Sequence, residues 1–180
     1  MASVLLPLAQ GSEDLEAITL LNILRRAGIE VVSASLDGLA IRGSRGTVIT
    51  PDTSLDAALK RDFDMVVLPG GQPGTRNLKA DKRIIQLVQD MAAAGHYVCA
   101  ICAAPSILAS AGLLNGKRAT CFPEALNDYP KVLLQTQAVV EDGKIITSRG
   151  PGTAMDFALT LVERLAGKAQ RDIVEAALVR

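Results

Sequence analysis

The sequence predicts an α/β fold, a doubly wound and mostly parallel sheet, and three observations carry that prediction. Short apolar strands at 3–8, Ile29–Ala34, Met65–Leu68 and 97–101 alternate with helical periodicities. A complete strand–helix–strand unit occupies the first 35 residues, which implies parallel pairing and a right-handed crossover. No linker, repeat or low-complexity stretch divides the chain, so residues 1–180 are expected to form one domain, long enough to bury a sizeable core.

The elements follow in order. The run at 3–8 ends in the turn Ala9-Gln10-Gly11. Ser12 is expected to cap the first helix, with Glu13 and Asp14 facing the positive end of its dipole. That helix runs to about Ala27 and stops at Gly28. After the strand Ile29–Ala34, Leu39–Ile41 and Thr47–Thr50 are expected as short strands around Gly43-Ser44-Arg45-Gly46. Ser54–Leu59 has room for two helical turns. Met65–Leu68 is a buried strand ending in Pro69-Gly70-Gly71. A small helix is expected at 74–80. A clear one follows from Asp81 to Ala94, with Ile84, Leu87, Val88 and Met91 at helical spacing. The strand from Tyr97 breaks into a helix ending near Gly112. Strands are expected at 118–122 and 136–140, the second turning through Glu141–Lys144 into Ile145-Ile146. Helices at Ala154–Leu165 and 168–179 close the chain.

Composition excludes several classes of function. The apolar fraction is 49% with only 3% aromatic, so the core is aliphatic. Nineteen basic residues balance nineteen acidic ones, which leaves no net field for nucleic acid or an anionic membrane. No run of about 18 apolar residues is available to span a membrane. The N-terminus has no basic region or cleavage site of a signal peptide, and three cysteines do not form a disulfide framework, so a cytoplasmic location is expected.

The chemistry concentrates at Cys102. Ala100-Ile101-Cys102-Ala103-Ala104 places a thiol where a strand gives way to a helix, flanked by the small residues that a sharp nucleophile elbow requires. The alternative is an ordinary buried core cysteine. Ligands in open parallel sheets bind beyond the carboxyl ends of the strands. Gly11–Glu16, Pro69-Gly70-Gly71 and Cys102-Ala103 all leave core strands at that edge, and their convergence favours the functional reading. Gly70 and Gly71 allow close backbone approach and can present a free N–H, unless they form only an ordinary turn. With the Ala103 N–H they would make an oxyanion hole, and the helix end is expected to lower the thiol pKa.

The single histidine is not a partner for this thiol. His96 lies six residues back along the strand, roughly 20 Å away at about 3.3 Å per residue, and is expected at the surface. A carboxylate is the alternative. Glu16 shares a helical stripe with Leu20, Ile23, Leu24 and Ala27, but Glu13 is nearly on the same stripe, so periodicity does not separate them. An inward glutamate without a cation would have a raised pKa and stay protonated; a solvated first-turn acid is the competing reading. Cys99 and Cys102, three apart in a strand, point to opposite faces beyond disulfide reach. A lone C-x-x-C holds no metal site, and neither a Walker loop nor G-x-G-x-x-G offers a nucleotide site, so no cofactor is expected.

Taken together, Gly-Ser-Glu-Asp-Leu-Glu (11–16), Arg-Arg-Ala-Gly-Ile (25–29), Ser-Arg (44–45), Val-Val-Leu-Pro-Gly-Gly (66–71), Ala-Ile-Cys-Ala-Ala-Pro (100–105) and Ser-Arg-Gly-Pro-Gly-Thr (148–153) closely resemble the DJ-1/ThiJ/PfpI family. The likeness covers nearly the whole chain, and is greatest to the branch of the Parkinson-disease protein deglycase and its bacterial relatives. It implies a flavodoxin-like three-layer sandwich and a homodimer. It makes Cys102 the nucleophile, readily oxidised to a sulfinate, and Glu16 its protonated partner. Gly71 and Ala103 would donate their N–H groups, with Gly70, Gly150 and Pro151 around the pocket. Arg45 would reach toward the neighbouring subunit's site, with Glu13 and Arg26 near that interface. The implied activity is a glyoxalase or deglycase acting on methylglyoxal and its early adducts. A redox sensor or chaperone, or another small-molecule hydrolase or hydratase, are the alternatives. The chain departs from the animal members at Phe122, where they carry a pocket histidine, and at Gly43 and Thr50, where they carry cysteines.

Overall fold

A computed structural model describes all 180 residues. Strand β1 (Ser3–Leu8) leads into α1 (Asp14–Arg26) and β2 (Glu30–Ser35), which pairs in parallel with β1 from Ser3↔Glu30 to Leu8↔Ser35. The excursion that follows forms a separate antiparallel pair, β3 (Ile41–Arg42) with β4 (Val48–Ile49). The chain then returns as a two-residue edge strand, β5 (Thr53–Ser54), beside β2. One turn of helix, α2 (Leu55–Ala58), precedes β6 (Met65–Leu68), and α3 (Gly74–Ala80) and α4 (Lys82–Ala93) precede β7 (Tyr97–Ile101). Beyond β7 come α5 (Pro105–Ser110), β8 (Arg118–Ala119) and β9 (Leu133–Leu134). The hairpin β10 (Val139–Asp142) and β11 (Ile145–Ser148) leads to α6 (Ala154–Ala166) and α7 (Lys168–Ala177).

The central sheet has seven strands in the order β10-β11-β7-β6-β1-β2-β5. Every pairing in it is parallel except β10 with β11. The flavodoxin-like α/β/α expectation therefore holds. Alternation along β1 divides the core: Val4, Leu6 and Leu8 pack with Leu20, Leu24, Phe157 and Leu161 on one face. Leu5 joins Val66, Leu68, Ile84, Val88 and Ile107 on the other. Covering both faces forces β6 to be apolar throughout, and all four of its residues are buried. No helix is long and apolar enough to cross a membrane.

Three expectations of detail require correction. Ser12 does not cap α1. It is fully buried, its Oγ accepting from Ala9 N at 3.1 Å to close the turn after β1, and Glu13 takes the cap position instead. The strand expected at 118–122 is only Arg118–Ala119 and belongs to a small parallel pair with Leu133–Leu134, outside the main sheet. The strand expected at 136–140 starts at Val139 and runs to Asp142.

Candidate active site

Because β1, β6 and β7 are adjacent and parallel, their carboxyl ends bring Glu16, Gly70 and Cys102 to one edge, beside the switch between β1 and β6. Cys102 follows the last residue of β7 with φ 65°, one of only three non-glycine residues at positive φ in the chain. Such a conformation is costly and persists where surrounding contacts enforce it. Here they are two hydrogen bonds: Cys102 N donates to Ser148 O at 3.0 Å, and Cys102 O accepts from Phe122 N at 2.7 Å.

Gly70 shows how tightly the parts meet. A Cβ built on it would stand 2.6 Å from Cys102 Cβ, 3.0 Å from Ala103 N and 3.0 Å from Glu16 Oε2. Two groups of the elbow after β7 and one carboxyl from α1 thus converge on the space a side chain would occupy. Gly71, at φ 87°, could not carry one either: its Cβ would lie 2.5 Å from Glu13 N. Gly70 O in turn accepts from Glu13 N at 2.9 Å, which ties the turn after β6 to the start of α1.

Glu16 is wholly buried. Its Oε2 accepts from Gly70 N at 2.7 Å, while Oε1 is buried without a hydrogen-bond partner. Burial pushes the carboxyl up to about 7, against the N–H of Gly70 and hydrogen bonding with Cys102, which favour ionisation. The thiol is pushed up to about 12 by burial, by the charge of Glu16 and by hydrogen bonding to it. The N–H groups of Gly71 and Ala103 act in the opposite direction. The expected lowering of the thiol pKa is therefore corrected. Cys102-Ala103-Ala104 form a turn, and α5 begins only at Pro105 and is six residues long, so the helix end is too weak and too far removed to outweigh burial. The two groups titrate as a unit: the first proton leaves around neutrality and the second is held far above it.

The structure also separates the two glutamates. Glu13 folds back so that its Oε2 accepts from Glu16 N at 2.9 Å, a cap that leaves Glu16 alone facing the thiol. Asp14, which sequence reasoning treated only as a dipole partner, reaches across to the β3–β4 excursion. It accepts from Arg45 N and Thr47 N, each at 2.7 Å. Burial alone would raise its pKa, but these N–H groups and the Thr47 hydroxyl hold it below its ordinary value. A Cβ at Gly43 would come within 2.5 Å of the Asp14 carboxyl, so a cysteine at this position is sterically incompatible with that contact. No local sequence signal announces this partnership, because the groups lie 31 and 33 residues apart.

The remaining site residues are distributed as follows. Gly150 and Pro151 follow β11 after Arg149, the last residue of that strand holds the Cys102 N–H, and the Phe122 ring borders the space a Gly150 side chain would fill. Arg45 is exposed on the excursion. Arg26 is exposed at the far end of α1, roughly 15 Å from Glu16 at about 1.5 Å per residue. His96 is only partly exposed, at the amino end of β7, where it lines a cavity of about 620 Å³ with Arg61 and Phe63, away from the thiol. Cys99 and Cys121 are buried and free, and no three His, Cys, Asp or Glu side chains gather into a metal-holding group.

Comparison with known proteins gives a consistent picture. The model of the DJ-1/PfpI family matches residues 2–164. The protein dj-1beta of Drosophila melanogaster is 42% identical, with 98% of this chain and 97% of that protein aligned. Its crystal structure superposes with a TM-score of 0.96 at 41% identity, covering 99% and 97% of the two chains. The glutathione-independent glyoxalase DJR-1.2 of Caenorhabditis elegans is 33% identical over 92% of this chain and 89% of its own length. The oxidised form of Toxoplasma gondii DJ-1 superposes with a TM-score of 0.95 at 35% identity, covering 99% and 98% of the chains.

Proposed function

The chain belongs to the DJ-1/PfpI family, and from that membership and the Cys102–Glu16 pair we propose that it is a cofactor-independent glyoxalase, and by extension a deglycase, acting on methylglyoxal and its early adducts with amines and thiols. The observation that carries this reading is the buried carboxyl of Glu16. It is anchored through one oxygen to Gly70, its other oxygen is unpartnered, and it meets a thiol whose own backbone is fixed on both sides. A group that moves a proton needs that kind of position and a pKa near the working pH. The name of the worm relative, a glutathione-independent glyoxalase, supports the same chemistry.

In this mechanism the Glu16 carboxylate takes the thiol proton as the sulfur attacks, so the pair supplies the thiolate and Glu16 then holds the proton. Sulfur bonds to the aldehyde carbon, and the oxyanion that forms is stabilised by the Gly71 and Ala103 N–H groups. Once the oxyanion has taken the proton of Glu16, the carboxylate removes the hydrogen from the former aldehyde carbon and returns it to the neighbouring keto carbon, while the hydroxyl proton on the first carbon passes to the keto oxygen and leaves a carbonyl behind. The result is a thioester of a 2-hydroxy acid. Water cleaves the thioester, giving lactate from methylglyoxal and restoring the thiol. No net oxidation takes place. Glyoxalase and deglycase assays on the wild type, Cys102→Ser and Glu16→Gln test it. Turnover should vanish in the first variant and fall at least a hundredfold in the second. Retained turnover in Cys102→Ser would overturn the mechanism.

One observation favours a second reading, a redox sensor or chaperone built on the same cysteine. The Gly71 and Ala103 N–H groups, with the protonated Glu16, are donors suited to the oxygens of a sulfinate, and one similar structure is of an oxidised protein. Mass spectrometry after mild peroxide separates the readings. Selective, stoichiometric sulfinate at Cys102 with negligible dicarbonyl turnover favours the sensor. A homodimer is part of either proposal: Leu15 and Ile18 on α1 are 55% and 44% exposed, an outward apolar face that a second subunit would cover.

A further inference from the structure

The two flanks of the thiol differ in chemistry. Toward β6 and β1 stand a carboxyl and backbone N–H groups; toward β11 stand an aromatic ring and a glycine. Both parts of the second flank hang on the peptide groups of Cys102. Its N–H is bonded to Ser148, two residues before Gly150, and its carbonyl is bonded to Phe122 N at 2.7 Å. The two parts also adjoin each other, since a Cβ on Gly150 would lie 3.4 Å from Phe122 Cδ2. The ring therefore borders the space that a side chain at Gly150 would fill. The chain has three phenylalanines; Phe63 and Phe157 are buried at 5% and 0% exposure, whereas Phe122 is left 49% exposed. A ring fixed through its own backbone to the nucleophile, half exposed and bordering the space left by a glycine, is suited to receive an apolar group that enters beside the sulfur.

Resting on the dicarbonyl reading above, the geometry points to Phe122 as a specificity-determining residue that selects α-oxoaldehydes bearing an aryl or comparably bulky apolar substituent over methylglyoxal. When the aldehyde carbon bonds to sulfur and its oxygen turns to the Gly71 and Ala103 donors, the substituent on the keto carbon is directed to the opposite flank. There an aryl group stacks on or abuts the Phe122 ring, and the absence of a side chain at Gly150 leaves it room. A methyl group gains little of that contact.

The test compares kcat/KM for phenylglyoxal and methylglyoxal in the wild type, Phe122→Ala and Phe122→Leu. Aromatic contact predicts a preference for phenylglyoxal of about two- to tenfold in the wild type. That preference should be lost in Phe122→Ala and partly kept in Phe122→Leu, which restores bulk without the ring. Thermal melts establish that each variant is folded, as expected for a half-exposed position. An unaltered ratio in folded Phe122→Ala overturns the assignment. Binding of mandelate and lactate, the two hydration products, followed by NMR titration, reads the same flank without turnover. Phe122-dependent preference for mandelate in a protein that turns over neither dicarbonyl would remove the glyoxalase reading and leave the aryl site standing. Equal mandelate binding by wild type and Phe122→Ala would remove the aryl site.

Discussion

Gly70 and Cys102 are in such close contact that a methyl group on the glycine would stand 2.6 Å from the cysteine Cβ, well inside van der Waals distance. The turn after β6 thus acts as a template for the elbow after β7. Gly70→Ala is expected to push the elbow away from Glu16, destabilise the fold by about 1–3 kcal/mol and reduce dicarbonyl turnover at least a hundredfold. Urea denaturation and the glyoxalase assay check the two effects. A variant with wild-type turnover would show that the contact is dispensable.

Glu16 makes stability depend on pH in a predictable direction. Its carboxyl is raised from 4.5 to about 7 by burial, so the folded state binds the proton more tightly than the unfolded chain. The stabilisation is complete below about 4.5 and is lost as pH rises through about 7. It amounts to about 3 kcal/mol at most. Glu16→Gln has no such proton to lose and should show a flatter profile over this window in denaturant titrations. Parallel profiles for the two proteins would contradict the assignment.

Asp14 holds the β3–β4 excursion through the Arg45 and Thr47 N–H groups. Asp14→Asn removes one acceptor and sets a donor against an N–H, at a cost of about 1–3 kcal/mol. Amide hydrogen exchange at residues 45 and 47 should quicken while that in β1 and β6 is preserved. Since the Asp14 pKa is lowered in the fold, its contribution is present at neutral pH and lost as pH falls through the carboxylate range, the opposite sense to Glu16.

The exposed apolar residues of α1 make a prediction about assembly. Leu15→Arg or Ile18→Arg places a charge on a face now 55% and 44% exposed at those positions, and should give a folded monomer that melts below the dimer at the same micromolar concentration. Sedimentation velocity decides the matter. A monomeric wild type at micromolar concentration would refute the dimer.

Much of this architecture was legible because it depends on local chemistry. The β-branched run Met65–Leu68, the helical spacing of Ile84, Val88 and Met91 and the stops at Gly28 and Gly95 each state their own element. The cap expected for α1 failed because a polar side chain was claimed by another partner. Ser12 resembles a helix cap by type, but Ala9 already engages its hydroxyl, and the cap passes to Glu13. Asp14 has no such local signal, because its partners Arg45 and Thr47 lie beyond β2.

For the site, the sequence by itself determined the nucleophile candidate and the edge at which it stands, because strand ends, small flanking residues and paired glycines are properties of short segments. It also disposed of His96 by simple chain geometry. Only the tertiary structure chose between Glu13 and Glu16, since both lie on the inward stripe of α1 and only the Gly70 N–H, supplied by another strand, fixes the second one beside Cys102. The tertiary structure also reversed the expected shift of the thiol. A proton's affinity depends on the burial and charge contributed by all neighbouring elements, and at Cys102 those outweigh the two N–H groups that the local turn provides.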